Sequence, residues 1–263
     1  MFDGACRVEG SEVSQASRTP SPFLRAQWLD LLMLNYVVDP ALLSPHVPAG
    51  TELDLWAGHA IMSLVGFRFV DTRMLGLSIP GHRNFEEVNL RFYVRREVEG
   101  VVRRAVVFLR ELVPRRAIAW TACACYNEPY RALPMRHEIT VLGAERRVRY
   151  EWREGAAWAS IAAATIGGPA ALVTGSEEEF IIEHFWGYTR QRDGGTIEYQ
   201  VAHPSWRVWE TRDARATGPL TDTYGAAFSA ALQGAPRSAF VAEGSEVAVF
   251  RPRRLSIALT SLR

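Results

Sequence analysis

The feature that most constrains the fold of this chain is a succession of short apolar or alternating runs, closely spaced and broken by Gly, Pro and charged turns. Alternation with period two puts successive side chains on opposite faces of a strand, so such runs pair into sheets that bury one face. They predict strands over residues 24–38, 51–56, 59–70, 84–96, 101–113, 115–126, 144–152, 156–163, 196–202, 206–211, 247–250 and 255–262. Glu99-Gly100, between two of these runs, signals a hairpin turn. Strands this numerous and this close together form antiparallel sheet that closes or folds on itself.

Helices are few and are marked by their caps. Asp39 ahead of Pro40 sets proline at a first helical position, where its missing N–H costs little, and Pro45 and Pro48 end that helix. Ser176 with Glu179 three residues on is a capping box, which predicts a helix through Phe180 and His184 to about Trp186, stopped by Gly187. Asp222 is expected to cap a third helix that runs through Leu232 and ends at Gly234 and Pro236. No linker divides the chain: residues 1–20 read as a polar tail and residues 21–263 as a single domain.

Composition narrows the chemistry. A formal charge of +1 gives no global field for a phosphate backbone or an acidic membrane surface, so neither nucleic acid nor membrane is an expected partner. All 30 basic residues are arginine and none is lysine. Arginine stays protonated and is a poor nucleophile, so a side-chain Schiff base, an internal aldimine with pyridoxal phosphate and a Walker A loop are all excluded. Arginine instead captures carboxylate or phosphate bidentately. No leader or apolar span is visible, which sets a cytoplasmic expectation. Cys6 lies in the tail; Cys123 and Cys125, two apart in an expected strand, read as reduced thiols on one face. The six histidines have no paired spacing, and no metal or other cofactor is expected.

Candidate site residues cluster in the run 84–96. If it is a strand, one of Glu86 and Glu87 points inward and the other outward, and Asn89 and Arg91 share the face of Glu87. A glutamate inside a cavity has its pKa raised by desolvation and lowered by a nearby guanidinium. His82, after the Pro80-Gly81 turn, is placed near the mouth of such a cavity. Arg115 and Arg116 alternate, so only one of them faces inward. Ser78 lacks the second glycine of a nucleophile elbow and is discounted; 183–188 read as a packed helix face and 126–130 as a surface turn.

Several longer stretches carry a resemblance. Leu31-Leu-Met-Leu-Asn35-Tyr36, Val65-Gly66-Phe67, His82-Arg-Asn-Phe-Glu-Glu-Val-Asn-Leu-Arg-Phe-Tyr93, Phe108-Leu-Arg-Glu-Leu-Val-Pro-Arg-Arg116, Tyr126-Asn-Glu-Pro-Tyr130 and Glu183-His-Phe-Trp-Gly-Tyr188 resemble the YqjF-like family of uncharacterised bacterial proteins. That family is distantly similar to acetoacetate decarboxylase. The resemblance implies a mainly β, β-rich α+β fold: an antiparallel acetoacetate-decarboxylase-like barrel enclosing a small-molecule cavity, with a few short helices. In acetoacetate decarboxylases an Arg-Glu-Leu stretch is followed by Pro and two lysines, the first of which forms the Schiff base. Here Arg115 and Arg116 stand at those two positions, and Val37 stands near that of a substrate-binding arginine. The aromatic-x-Glu motif of the enzymes matches Phe85-Glu86-Glu87, which makes Glu87 the match to the catalytic glutamate. The resemblance thus implies a cavity and one acid without the covalent step.

Two functions fit. One is a lyase-like or proton-transfer enzyme acting on a small keto or hydroxy acid, with Glu87 as acid/base, Arg115 or Arg116 as anion clamp, and Asn89, Arg91 and His82 around the ligand. The other is a noncatalytic binding or sensor protein for a small apolar carboxylate. Either way the expected partner is an organic acid, and related folds lead us to expect a homo-oligomer.

Overall fold

The structure is a computed structural model that describes residues 21–255. The expected tail and the expected strand at 255–262 fall wholly or almost wholly outside those residues. Along the chain the elements are β1 (Leu24–Val38), α1 (Pro40–Leu43), β2 (Glu52–Leu53), β3 (Ala60–Met74), β4 (Phe85–Val98), β5 (Val101–Val113), α2 (Arg116–Tyr126) and β6 (Tyr130–Ala132). There follow β7 (Met135–Leu142), β8 (Glu145–Glu154), β9 (Ala157–Ala170), α3 (Glu177–Ile182), β10 (Trp186–Arg190) and β11 (Thr196–Ala202). The last are β12 (Val208–Thr217), α4 (Leu220–Tyr224), α5 (Ala226–Leu232), β13 (Ser238–Val249) and β14 (Arg253–Arg254). A mainly β fold with a few short helices is therefore what the chain adopts.

The strands run β14-β11-β10-β5-β4-β3-β1-β13-β12-β9-β8-β7 in one sheet, and an additional pairing of β11 with β13 closes the strands from β13 through β1, β3, β4, β5 and β10 to β11 into a ring. The rest, β12, β9, β8 and β7, continue outward from β13. Alternation then divides the apolar residues between two cores. Leu31 and Met33, Val65, Phe67 and Phe69, and Tyr93 pack together on the inner face of the ring. Their neighbours Leu32, Leu34, Leu64, Leu90 and Phe92 pack on the outer face against Tyr150, Trp152 and Ile161 of β8 and β9. Gly66 makes this second layer possible, because a Cβ there would lie 2.6 Å from the Tyr150 ring.

Local signals explain most element ends. Asp39 accepts from the backbone N–H of Ala41 at 2.8 Å, with Pro40 opening α1. Glu99 and Gly100 both have positive φ (51° and 78°), as the tight β4–β5 turn requires. Ser176 accepts from Glu179 N at 3.1 Å, and the Glu179 carboxylate reaches back to Gly175 N at 2.7 Å.

Other expectations are corrected. Residues 116–126 form helix α2 rather than a strand, so Cys123 and Cys125 do not share a strand face. Cys123 is half-buried and its thiol donates to the carbonyls of Glu128 (3.2 Å) and Tyr130 (3.3 Å); the side chain of Cys125 lies outside the described set. Helix α3 stops at Ile182, not Trp186, because Trp186 and Gly187 enter β10 and pair with Ala105 and Val106 on one side and with Gln200 and Tyr199 on the other. Asp222 lies inside the first turn of α4 rather than capping a long helix, and Gly225 (φ 81°) separates α4 from α5. The expected strand at 51–56 shortens to β2, and β6, β7 and β10 are additional strands.

Candidate functional site

Inside the ring lies a cavity of about 310 Å³. Its walls are largely apolar and aromatic, including Trp28, Phe67, Phe69, Phe108 and Trp206, with Ile181 and Ile182 of α3 against one side. A few polar groups converge on it, the usual form of a small-molecule site.

Strand β4 supplies the first of these groups. Its alternation turns Glu87, Asn89 and Arg91 into the cavity and leaves Glu86 outside, where the carboxylate meets His137 Nδ1 at 2.7 Å. Glu87 accepts from Asn89 Nδ2 at 3.0 Å and from the Tyr130 hydroxyl at 3.1 Å. Burial is the main cause that pushes the Glu87 carboxyl up to about 7; its two hydrogen bonds and the Arg91 charge pull it down, and the Glu128 charge pushes it further up. Arg91 Nη2 donates to the Ile181 carbonyl at 3.4 Å and lies 3.8 Å from Met33 Sδ, while its buried Nε–H has no partner among the described residues.

Strand β5 supplies the second through a bulge. The pairing with β4 steps from Arg91↔Phe108 to Leu90↔Arg110, so Leu109 is an extra residue. Val106 and Phe108 face the cavity before the step; after it Glu111 does, and Arg110 does not. Pairing across β4, β5 and β6 then sets Asn89, Glu111 and Tyr130 side by side.

Glu128, just before Pro129, comes from the turn that follows α2. Thr189 of β10 donates to its Oε1 at 2.5 Å. Burial is the largest cause that raises Glu128 to about 7 and Glu111 well above the usual carboxylate range, and the Glu128 and Glu87 charges push Glu111 higher still. The three carboxyls are 3% (Glu87), 2% (Glu111) and 7% (Glu128) exposed. Tyr199 of β11 faces Glu128, and its ring packs against Gly187 on the paired strand, where a Cβ would be 2.2 Å from it.

A neutral imidazole completes the wall. His184 Nε2 is 3.6 Å from Asp54 Oδ2, and its ring sits 4.6 Å from that of Tyr93. Burial pushes His184 down to about 4, against the raising effect of Asp54. Burial alone would raise Asp54, but hydrogen bonds from His184 and Arg104 hold it below the usual carboxylate range.

The structure thus brings together Glu87, Asn89 and Arg91, with His82 half-buried on the cavity wall and its Nδ1 2.9 Å from the Pro80 carbonyl. It does not bring in Arg115 and Arg116. Both are exposed at the start of α2, and neither lines the cavity; the helix that replaces the expected strand carries them outward. The residues 126–130, read as a surface turn, instead deliver Glu128 and Tyr130. Glu111, Glu128, Tyr130, Tyr199 and His184 were not singled out as site residues by sequence. Only the parity of β5 could have flagged Glu111, and the bulge reverses it.

Residues 25–246 match the model of a family described as uncharacterized conserved proteins. The chain is 26% identical over 203 residues to the uncharacterized protein YqjF of Bacillus subtilis (strain 168), covering 77% of this chain and 81% of the relative. Among solved structures it is similar to acetoacetate decarboxylase from Legionella pneumophila, with a TM-score of 0.61 and 14% identity over 96% of this chain and 98% of the other. It is equally similar to the enduracididine biosynthesis enzyme MppR in complex with pyruvate, with a TM-score of 0.61 and 17% identity over 92% of this chain and 93% of that one. Those structures show that the fold is acetoacetate-decarboxylase-like.

Proposed function

Since the chain belongs to the DUF2071 family of uncharacterized conserved proteins, its activity has to be read from its own cavity, and we propose that the cavity binds a small organic acid and that Glu87 exchanges a proton with it. The observation that carries this is Glu87 itself: a carboxyl on the cavity wall, oriented by Asn89 and Tyr130, and held near pH 7 by burial. A general base works best when its pKa is close to the working pH. As carboxylate, Glu87 takes a proton from the carbon next to a keto group; the Arg91 guanidinium donates to the keto oxygen as charge builds there. Arg91 replaces Arg115 and Arg116 in the anion-holding role, because it is the arginine that lines the cavity. With no lysine in the chain, this chemistry runs without a Schiff base.

The test is solvent deuterium incorporation at the α-carbon of small keto acids, followed by proton NMR. Pyruvate is the first probe, because a structural neighbour holds it. The wild-type protein should catalyse exchange, and Glu87→Gln should slow it by about a hundredfold or more. Exchange that is equal in the two proteins, or absent with every keto acid, refutes the reading. The aromatic walls favour a second reading, capture of an apolar carboxylate without turnover, which would show as Arg91-dependent binding with no exchange.

A further inference from the structure

The charge balance of the cavity is unusual for an organic-acid site. Three carboxyls line it, and among the described residues Arg91 is the one arginine that does. Two of the histidines on its wall do not redress the balance, since burial pushes His184 and His203 toward the neutral form. Glu87 is committed to Asn89 and Tyr130, whereas Glu111 and Glu128 hydrogen-bond to each other through a proton one of them carries; apart from that shared proton, Glu111 Oε2 and Glu128 Oε2, both fully buried, have no well-formed hydrogen bond from a nitrogen or hydroxyl donor among the described residues. A buried acceptor without a donor costs free energy that a ligand's donor can return. The aromatic side chains of Tyr130 and Tyr199 line the cavity beside the two acids, and aromatic faces attract cations.

We propose that Glu111 and Glu128 are a subsite for a protonated nitrogen, so that the ligand is a small organic acid that also carries an ammonium, amidinium or guanidinium group. The idea rests on the cavity reading above: the ligand's carboxylate goes to Arg91 and its cation to the two glutamates. It gives a purpose to a second pair of acids that proton exchange through Glu87 does not use. Without ligand, burial keeps Glu111 and Glu128 protonated; a bound cation takes the place of those protons. The titratable groups that face the pair are Glu87 from β4, Tyr130 from β6 and Tyr199 from β11, Thr189 from β10 donates to Glu128, and Arg91 lines the same cavity beside Glu87.

The experiment titrates the full-length protein calorimetrically with matched pairs of probes: γ-aminobutyrate, δ-aminovalerate and ε-aminocaproate against butyrate, valerate and caproate. At least one amino acid should bind about tenfold to a hundredfold more tightly than its plain partner. Glu111→Gln and Glu128→Gln should abolish that preference, bringing the amino acid and its plain partner to within about threefold of each other. Circular dichroism and thermal melting establish that each variant is folded. Wild-type binding of the amino acid below pH 7, repeated in buffers of different ionisation enthalpy, should release protons, a readout that needs no variant. Plain acids binding as tightly as their partners, a preference that survives in both glutamine variants, binding without proton release, or no binding by any amino acid overturns the inference. In the first of these cases the Glu87 reading still stands if plain acids bind and keto acids exchange. Amino acids that bind with the stated preference while no keto acid shows Glu87-dependent exchange separate the opposite failure.

Discussion

Replacing Glu87 by glutamine should make the protein more stable at neutral pH, although the substitution removes a candidate functional group. Glu87 is 3% exposed, and its carboxyl is held at about 7 against an ordinary 4.5, first by burial and then by the Glu128 charge. That difference corresponds to a preference of about 3 kcal/mol for the protonated form in the folded protein. The sign follows from proton binding. The folded protein holds this proton more tightly than the unfolded chain, so the stability it contributes is complete below about pH 4.5, declines as pH rises toward 7, and is gone above it. Glutamine is neutral throughout and is an isostere of the protonated acid, with a carbonyl to accept from Asn89 or Tyr130. Urea unfolding of both proteins from pH 4.5 to pH 8 measures the effect. The two should be of similar stability at the acid end, and the variant should gain about 3 kcal/mol on the wild type by the alkaline end. Contributions of distant groups cancel in the comparison, while the neighbouring acids, whose charges act on one another, share part of the difference. Parallel stability curves, or a variant that loses stability at pH 8, would refute the account of Glu87 as a carboxyl kept protonated by burial.

Three further outcomes follow from the packing. Arg91→Leu should abolish the thermal shift caused by small carboxylates, whereas Arg115→Ala and Arg116→Ala, both exposed and off the cavity, should leave it unchanged; the reverse pattern would return the anion site to α2. Gly187→Ala should force the Tyr199 ring off the cavity wall, costing about 1–3 kcal/mol of stability and weakening ligand binding, and an unaltered melting temperature and affinity would contradict the close approach. Glu198 is 1% exposed and takes hydrogen bonds from Arg96, Arg103 and Arg253, so Glu198→Ala leaves guanidinium groups without their buried partner and should cost about 3–5 kcal/mol in urea unfolding; a loss below about 1 kcal/mol would show that water compensates.

The parts of this fold that sequence made legible are those decided within one element. β1, β5 and β11 were bounded at the residues the alternation indicated, and the parity of β4 separated Glu87, Asn89 and Arg91 from Glu86 because nothing interrupts that strand between them. The segment after β5 misled because its apolar content suits either state. Ala117, Ala119, Ala122 and Ala124 give it high helix propensity, and Pro114 just ahead of it is suited to a helix start. That difference takes Arg115 and Arg116 out of the cavity, since a strand would have pointed one of them inward, while a helix at the rim leaves both exposed.

What could not be read locally is the second pair of acids, and the reason is the nature of the devices that place them. Glu111 faces inward only because Leu109 is squeezed out of register with β4, a decision made by pairing across strands rather than by β5 itself. Glu128 is buried because α2 ends at Asn127 in a left-handed conformation (φ 55°), which turns the chain back so that Tyr130 can pair with Glu111. Tyr199 reaches the same place because Gly187, expected to stop a helix, instead provides the gap on β10 into which its ring fits. A bulge, a left-handed helix end and a glycine gap thus converge on two buried carboxyls that face each other. Packing alone would be served better by apolar side chains at those positions, since a buried acid destabilises the fold. Local departures from the regular pattern that lower stability cluster where a site needs them, and here they fall at Glu111 and Glu128, the two acids proposed as a cation subsite.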